Sequence, residues 1–238
     1  MDKEHVFEEK KRIGKLSQIR EIVFGAQDGL LVPLGVVSSV AGAFSNNHIV
    51  IVAGIAEALA GSFSMATGAY LASQAEAQVF KAEVEKEEHE IKKNPEKEKE
   101  ELVTLFAHEG VEKEDAITIV TLLAKSKQAF LTTSAQKELG IEPDPLGNAY
   151  QDGLYVGLSY FVTAIIPIFP YFILPSQKAI FLSMGLTLVA LFCIGVLKAK
   201  FAGLSYVKSG LQVLLIGAIS GIGGYVIGVY LPHILGIR

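Results

Sequence analysis

The sequence predicts an all-α membrane protein in which five transmembrane helices carry a helical domain inserted between spans 2 and 3. Three observations lead there. Half of the 238 residues are hydrophobic, the mean hydropathy is +0.41 and tryptophan is absent, a balance too apolar for an ordinary soluble domain. Five apolar runs of about twenty residues each suffice for a helix rising about 1.5 Å per residue to cross about 30 Å of hydrocarbon. Charge is segregated, with Glu and Lys dense across residues 76–101 and sparse over long stretches elsewhere, so the formal net charge of −4 describes no single surface.

In chain order, residues 1–20 (MDKEHVFEEKKRIGKLSQIR) are charged throughout. They lack the apolar centre and small-residue cleavage site of a secretory signal and are expected to stay on the protein. The spans read as 22–44, 49–72, 154–174, 179–197 and 210–231. The third contains Pro167 and Pro170, which predicts a kinked or unwound last third packed against protein. In the fifth, Gly217, Gly221, Gly224 and Gly228 recur at helical spacing, a stripe that favours close helix packing. Cys193 is the only cysteine; it rules out an intrachain disulfide and a thiolate zinc cluster, and reads as a small lipid-facing or packed side chain.

Basic residues set the topology. Lys10, Lys11, Arg12, Lys15 and Arg20 precede the first span, and Lys198, Lys200 and Lys208 flank the last connection. The SNNH turn after span 1 has no Lys or Arg, and the PSQK turn after span 3 has one. The positive-inside rule therefore places the N-terminus, the 73–150 insert and the last connection in the cytoplasm, and the C-terminus outside. Tyr150, Tyr155, Tyr171 and Tyr230 near span ends read as interfacial anchors, and His5, His48 and His233 as solvated surface residues.

From Ser73 the apolar helix passes into QAEAQVFKAEVEKEEHEIKK without a glycine or turn signal, so span 2 is expected to continue as one long helix. Asn94 and Pro95 end it, proline suiting the first position of the next helix and asparagine its cap. Gly110 closes the return arm, Val111–Ser126 has helical periodicity, and a short helix near Gln128–Leu139 ends at Gly140 before the EPDP turn. With few large apolar side chains, this segment is expected to rely on a partner copy, a metal, or both.

Glu76, Glu83, Glu87 and Glu90 lie along one stripe of the long helix, and Glu98 and Glu101 repeat the three-residue spacing on the return arm. Folding the hairpin brings two such pairs face to face, where they repel unless protonated or neutralised by a divalent cation. Fe²⁺, Mn²⁺, Mg²⁺ and Ca²⁺ all suit such oxygen ligands. The competing reading is a solvated Glu/Lys helix held by i,i+4 ion pairs.

Asp28 lies about six residues into span 1, roughly 9 Å deep at helical rise. An aspartate near mid-helix costs about 2.5–3.5 kcal/mol on insertion scales, so something must offset it. Glu57 interrupts span 2 in the same way, sharing its side of the helix with Gly54, Gly61, Ser64 and Gly68; Met65 borders that face. A buried acid in a groove of small residues marks an ion or proton path more often than a structural hydrogen bond. Met65 taken alone reads as core filler. Pro33 cannot donate to the carbonyl of Gly29, leaving that oxygen for a cation or a hinge one residue from Asp28.

Together, REIVFGAQDGLLVPLGVVSSVAGA, AGIAEALAGSFSMATGAYLASQAEAQVF, the Glu-rich hairpin and a third span ending IIPIFPY resemble the vacuolar iron transporter family, over essentially the whole chain from Arg20. That family includes plant and fungal vacuolar members, nodulin-like relatives and prokaryotic members. The resemblance implies a five-span protomer that dimerises, with a cytoplasmic metal-binding domain between spans 2 and 3, exporting Fe²⁺ from the cytosol in exchange for protons. By position, Asp28 and Met65 match the family's intramembrane ion ligands at the dimer interface, and Glu57 a glutamate on the same path. Glu87, Glu90, Glu98, Glu101 and Glu138 match the carboxylate ligands of its cytoplasmic domain. The plant proteins carry a methionine pair shortly before ELG, where this chain has Ser134 and Ala135; losing those thioethers leaves open whether Fe²⁺ or the harder Mn²⁺ is preferred.

The resulting organisation is a cytoplasmic N-terminal segment (1–20), transmembrane helices 1–2 (21–79), the metal-binding domain (80–147) and transmembrane helices 3–5 (148–238). Two Asp28 side chains meeting on a dimer axis would not both ionise cheaply, so an arriving cation displaces a proton and a proton gradient can drive export. No GxxxxGK[ST] loop is present, and no enzymatic activity, prosthetic group or nucleic-acid partner is expected. The partners are a second copy, the bilayer, protons and Fe²⁺, with Mn²⁺, Co²⁺ and Zn²⁺ as other candidates. Two alternatives stand: a membrane-anchored metal-binding or ferroxidase-like storage protein, against which the absent Glu-x-x-His spacing speaks, and an uncoupled divalent cation channel. The compact N-terminus favours a prokaryotic cell membrane over a vacuolar one.

Overall fold

The computed structural model describes residues 3–140, 148–234 and 236. The EPDP turn lies outside the described residues. Among them there are nine helices and no strand: α1 (Lys3–Ala43), α2 (Asn47–Lys93), α3 (Pro95–His108), α4 (Lys113–Leu123), α5 (Lys127–Glu138), α6 (Ala149–Ile168), α7 (Pro170–Ile173), α8 (Ser176–Ala202) and α9 (Tyr206–Ile234). Five stretches are long and apolar enough to cross a membrane, at Gln18–Ala43, within α2, at Ala149–Ile173, at Ser176–Phe201 and at Tyr206–Leu231. They are the five expected spans, most of them a few residues longer, because polar flanks such as Gln18 and Ser176 remain helical beyond the apolar run.

The chain forms two compact units, Met1–Leu71 with Gly147–Arg238, and Ala72–Leu146. In the first, α1 packs against α6, α8 and α9. Its Leu30, Leu34 and Val37 are fully buried. Val37 joins a core with Val50, Ala58, Tyr160, Ala164, Ile168, Tyr171, Ala179 and Ile180, while Leu30 packs with Leu191 and Val213. Tyr171, expected as an interfacial anchor, is 1% exposed and belongs to this core, whereas Tyr150 and Tyr230 are exposed. Cys193 is exposed on the outside of the bundle.

The prolines act differently in the two places. α1 passes through Pro33 unbroken; hydroxyls from neighbouring helices donate to two carbonyls that precede the proline, Thr163 to Ala26 at 3.0 Å and Ser220 to Leu31 at 3.1 Å. The third span does break, as expected, between Ile168 and Pro170. There the Ser183 hydroxyl donates to the Pro167 carbonyl at 2.6 Å, supplying part of the backbone pairing that a prolyl break removes in hydrocarbon. At the same end, Asn47 Nδ2 donates to the carbonyls of Tyr171 (2.7 Å) and Leu174 (2.6 Å), and Ser176 Oγ donates to Asn47 Oδ1.

The second unit is a small helical insert. Leu102, Val120 and Phe130 form its core, backed by Ile91, Val103, Leu105, Phe106 and Leu123. α2 runs without interruption to Lys93, and Pro95 opens α3. Asn94 holds the cap position, but its side chain makes no capping hydrogen bond; Ser126 does cap α5, accepting from the Ala129 amide. Gly110 and Gly140 take the positive φ that ends α3 and α5 (95° and 65°).

The C-terminal half of the glycine stripe of α9, Gly224 and Gly228, faces α1, while Gly217 packs against Leu191 of α8. A Cβ on Gly228 would collide with the Ser39 backbone, and one on Gly224 would stand 2.9 Å from Gly35 Cα. Nothing lies within 4 Å of a Cβ on Gly223. Gly228→Ala should therefore lower stability by about 1–3 kcal/mol through overpacking, and Gly223→Ala should leave it unchanged, as read by thermal unfolding in detergent.

Candidate metal centre and membrane carboxylates

In the insert, the end of α2, the start of α3 and the end of α5 converge on one point. Oxygens of Glu87, Glu90 and Glu98 lie within 4.8 Å of one another, as do those of Glu98, Glu101 and Glu138. Glu98 is common to both groups, so the five carboxylates form one continuous cluster. It is well shielded at the centre, where Glu98 and Glu87 are 1% and 4% exposed. Glu87 Oε1, Glu98 Oε2 and Glu138 Oε1 are buried without a hydrogen-bond partner. Such oxygens are expensive to leave uncompensated. Burial first, and then repulsion within the cluster, raises the pKa of Glu87 and Glu98 and pushes Glu138 up to about 7.

The remaining acids follow the bland expectation. Lys81–Glu85, Lys86–Glu83 and Lys92–Glu88 are exposed or part-exposed pairs on α2, and Lys127 also reaches Glu88. These two lysines hold the Glu88 carboxyl at about 2. Glu76 and Glu83, expected on the same stripe, stay outside the cluster. Glu101 belongs to both patterns, pairing with Lys97 at 2.8 Å. Ser134 and Ala135 are fully buried one turn before Glu138, and the Ser134 hydroxyl has no partner.

In the spans, Glu57 accepts a hydrogen bond from the Tyr160 hydroxyl, and its second oxygen is buried without a partner. Gly61 makes room for this contact, since a Cβ there would collide with the Tyr160 hydroxyl and stand 2.7 Å from the Glu57 carboxylate. Asp28 is half-buried and makes no hydrogen bond or ion pair among the described residues; it lies within electrostatic reach of Tyr160. The close approach of Gly29 to the Tyr160 backbone draws α1 against α6 at this level. Met65 is partly buried and packs against the core that contains Tyr160.

Tyr160 is the residue that sequence reasoning missed. A tyrosine in an apolar run reads as bulk, and only its 2% exposure shows that its hydroxyl must find a partner inside the bundle.

Five membrane-length helices with acids held inside two of them define a polytopic membrane protein equipped to handle charge within its spans. The VIT family profile matches residues 19–229. A vacuolar iron transporter of Centaurea cyanus is 36% identical over 208 residues, covering 87% of this chain and 85% of its own. Vacuolar iron transporter 1 of Arabidopsis thaliana is 35% identical over 217 residues (90% and 86%), and the vacuolar iron transporter of Plasmodium falciparum 29% over 228 (90% and 82%). The chain belongs to the VIT family, a family of transporters rather than enzymes.

Two measurements test this geometry. Tyr160→Phe leaves both Glu57 oxygens without a donor and should cost about 1–3 kcal/mol; in the Glu57→Ala background, where no acceptor remains, the same change should cost less, and an unchanged cost in this double-mutant cycle would mean that the hydrogen bond contributes nothing. In the metal-free insert, raised carboxyl pKa values favour the protonated folded state. Their stabilisation is fully present below the ordinary value of 4.5 and is lost as pH rises through about 7. Amide-exchange protection of α3–α5 in the full chain, corrected for intrinsic exchange, should therefore fall between pH 5 and pH 8, and Glu138→Gln should flatten that fall.

Proposed function

We propose that the protein exports Fe²⁺ from the cytoplasm in exchange for protons. The cargo follows the names of its relatives, with Mn²⁺ and other divalent transition metals as further substrates. The observation that carries the transport reading is the pair of acids in adjacent spans: Glu57 tied to Tyr160, and Asp28 without a partner. A fixed structural pair would satisfy both carboxylates; one acid with a single donor and another with none are suited to exchanging a proton for a cation. Met65 lies on the same path, and its thioether favours a transition metal over Mg²⁺ or Ca²⁺.

The functional unit in this reading is a homodimer of a cell or vacuolar membrane, with the N-terminus and the insert on the cytoplasmic side. The acidic cluster of Glu87, Glu90, Glu98, Glu101 and Glu138 captures the cation before transfer. Its all-oxygen donor set, with Ser134 replacing a thioether, suits Mn²⁺ as well as Fe²⁺. Capture releases the protons that burial and repulsion keep on the cluster, so metal should bind more weakly at pH 5 than at pH 8.

Proteoliposomes loaded with a metal-sensitive dye and a pH-sensitive dye test the coupling. Wild-type protein should move Fe²⁺ and protons in opposite directions, and Asp28→Ala should abolish both fluxes while leaving the protein folded. Metal flux without proton flux would indicate a channel, and wild-type exchange in Asp28→Asn would overturn the proton-exchange step. Glu87→Gln with Glu90→Gln should depress transport at low metal and preserve it at saturating metal.

A further inference from the structure

A groove of about 400 Å³ opens between α1 and α8, lined by Arg20, Val23, Phe24 and Gln27 on one side and Lys198 and Phe201 on the other. Its position is set by where the apolar spans stop. Arg20 lies near the start of the Gln18–Ala43 span and Lys198 near the end of the Ser176–Phe201 span, so two cations flank an apolar trough at the edge of the hydrocarbon. Phe24 and Phe201 are about half exposed.

Lys198 is exposed and makes no hydrogen bond or ion pair among the described residues. Arg20 donates through Nε and Nη2 to Glu21 Oε1 at 2.9 and 2.7 Å; the nearly buried Glu21 thus steadies a guanidinium whose side chain remains 75% exposed. Glu21 offsets one of the two positive charges, and Lys198 leaves the rim net positive.

A metal cation is repelled by this rim. A soluble anion gains nothing from the phenylalanines, and a zwitterionic lipid brings an ammonium group beside Lys198. We propose that the groove binds one anionic phospholipid, its phosphate on Lys198 and Arg20 and an acyl chain along Val23, Phe24 and Phe201. Basic side chains at the membrane boundary supply the headgroup selectivity, and the apolar trough supplies the preference for a lipid over a free phosphate. A lipid seated there braces α1 against α8 about two helical turns before Asp28.

The test uses the full chain in nanodiscs of phosphatidylcholine with and without phosphatidylglycerol, read by native mass spectrometry for retained lipid and by thermal unfolding. Wild-type protein should retain phosphatidylglycerol over phosphatidylcholine and melt higher in its presence. Lys198→Gln should weaken phosphatidylglycerol retention about fivefold, the worth of one basic residue at a membrane surface. Lys198→Arg should preserve retention, and Lys208→Gln, which removes the same charge outside the groove, should leave it intact. Equal losses in Lys198→Gln and Lys208→Gln would reduce the effect to diffuse surface charge and overturn the proposal. So would a thermal shift reproduced by inorganic phosphate, or a Lys198→Gln variant that changes oligomeric state while keeping its lipid preference, which would assign the groove to a second copy.

Discussion

The bundle depends on how closely α1 can approach its neighbours. Gly25 and Gly29 rest against the α6 backbone, and Gly35 and Ser39 against Gly224 and Gly228 of α9. In a hydrocarbon environment there is no hydrophobic drive to hold helices together, so contact of this kind, with hydroxyl-to-carbonyl bonds such as Thr163 to Ala26, must do so. The same closeness brings Asp28 within electrostatic reach of Tyr160.

Charge is handled differently in the two units. In the bundle the acids are few, and a single phenol donor takes one oxygen of Glu57. In the insert they are many, crowded until protons are held at a pH where carboxyls are ordinarily ionised. One arrangement offsets charge with a neutral donor, while the other accumulates charge and lowers it by titration. Both leave buried oxygens unsatisfied, a state that stable packing alone does not favour.

The five spans were legible because an uncharged apolar run of bilayer length rarely serves any purpose except crossing one. Their ends were less so, since Gln18 or Ser176 can extend a helix without extending hydropathy. Tyr171 was misread for a related reason: nearness to a span end suggests an interface, but the break at Pro170 folds the tyrosine back into the core. The spacing of Glu87, Glu90, Glu98 and Glu101 put them on facing arms of a hairpin, yet Glu138 stands far from them in sequence. Only the packing of α5, through Phe130 on Leu102 and Val120, brings it close. Tyr160 carried no periodic signal at all, since its role rests on a hydroxyl whose partner lies 103 residues away.

The Asn47 clamp has a mechanical consequence. Its amide binds two carbonyls of the α7–α8 turn and is itself held by Ser176, so the chain entering α2 and the chain entering α8 are fastened together at that end. Rotations of these helices share a common pivot there. The prolyl break, often a source of give in a helix, is here part of the bearing.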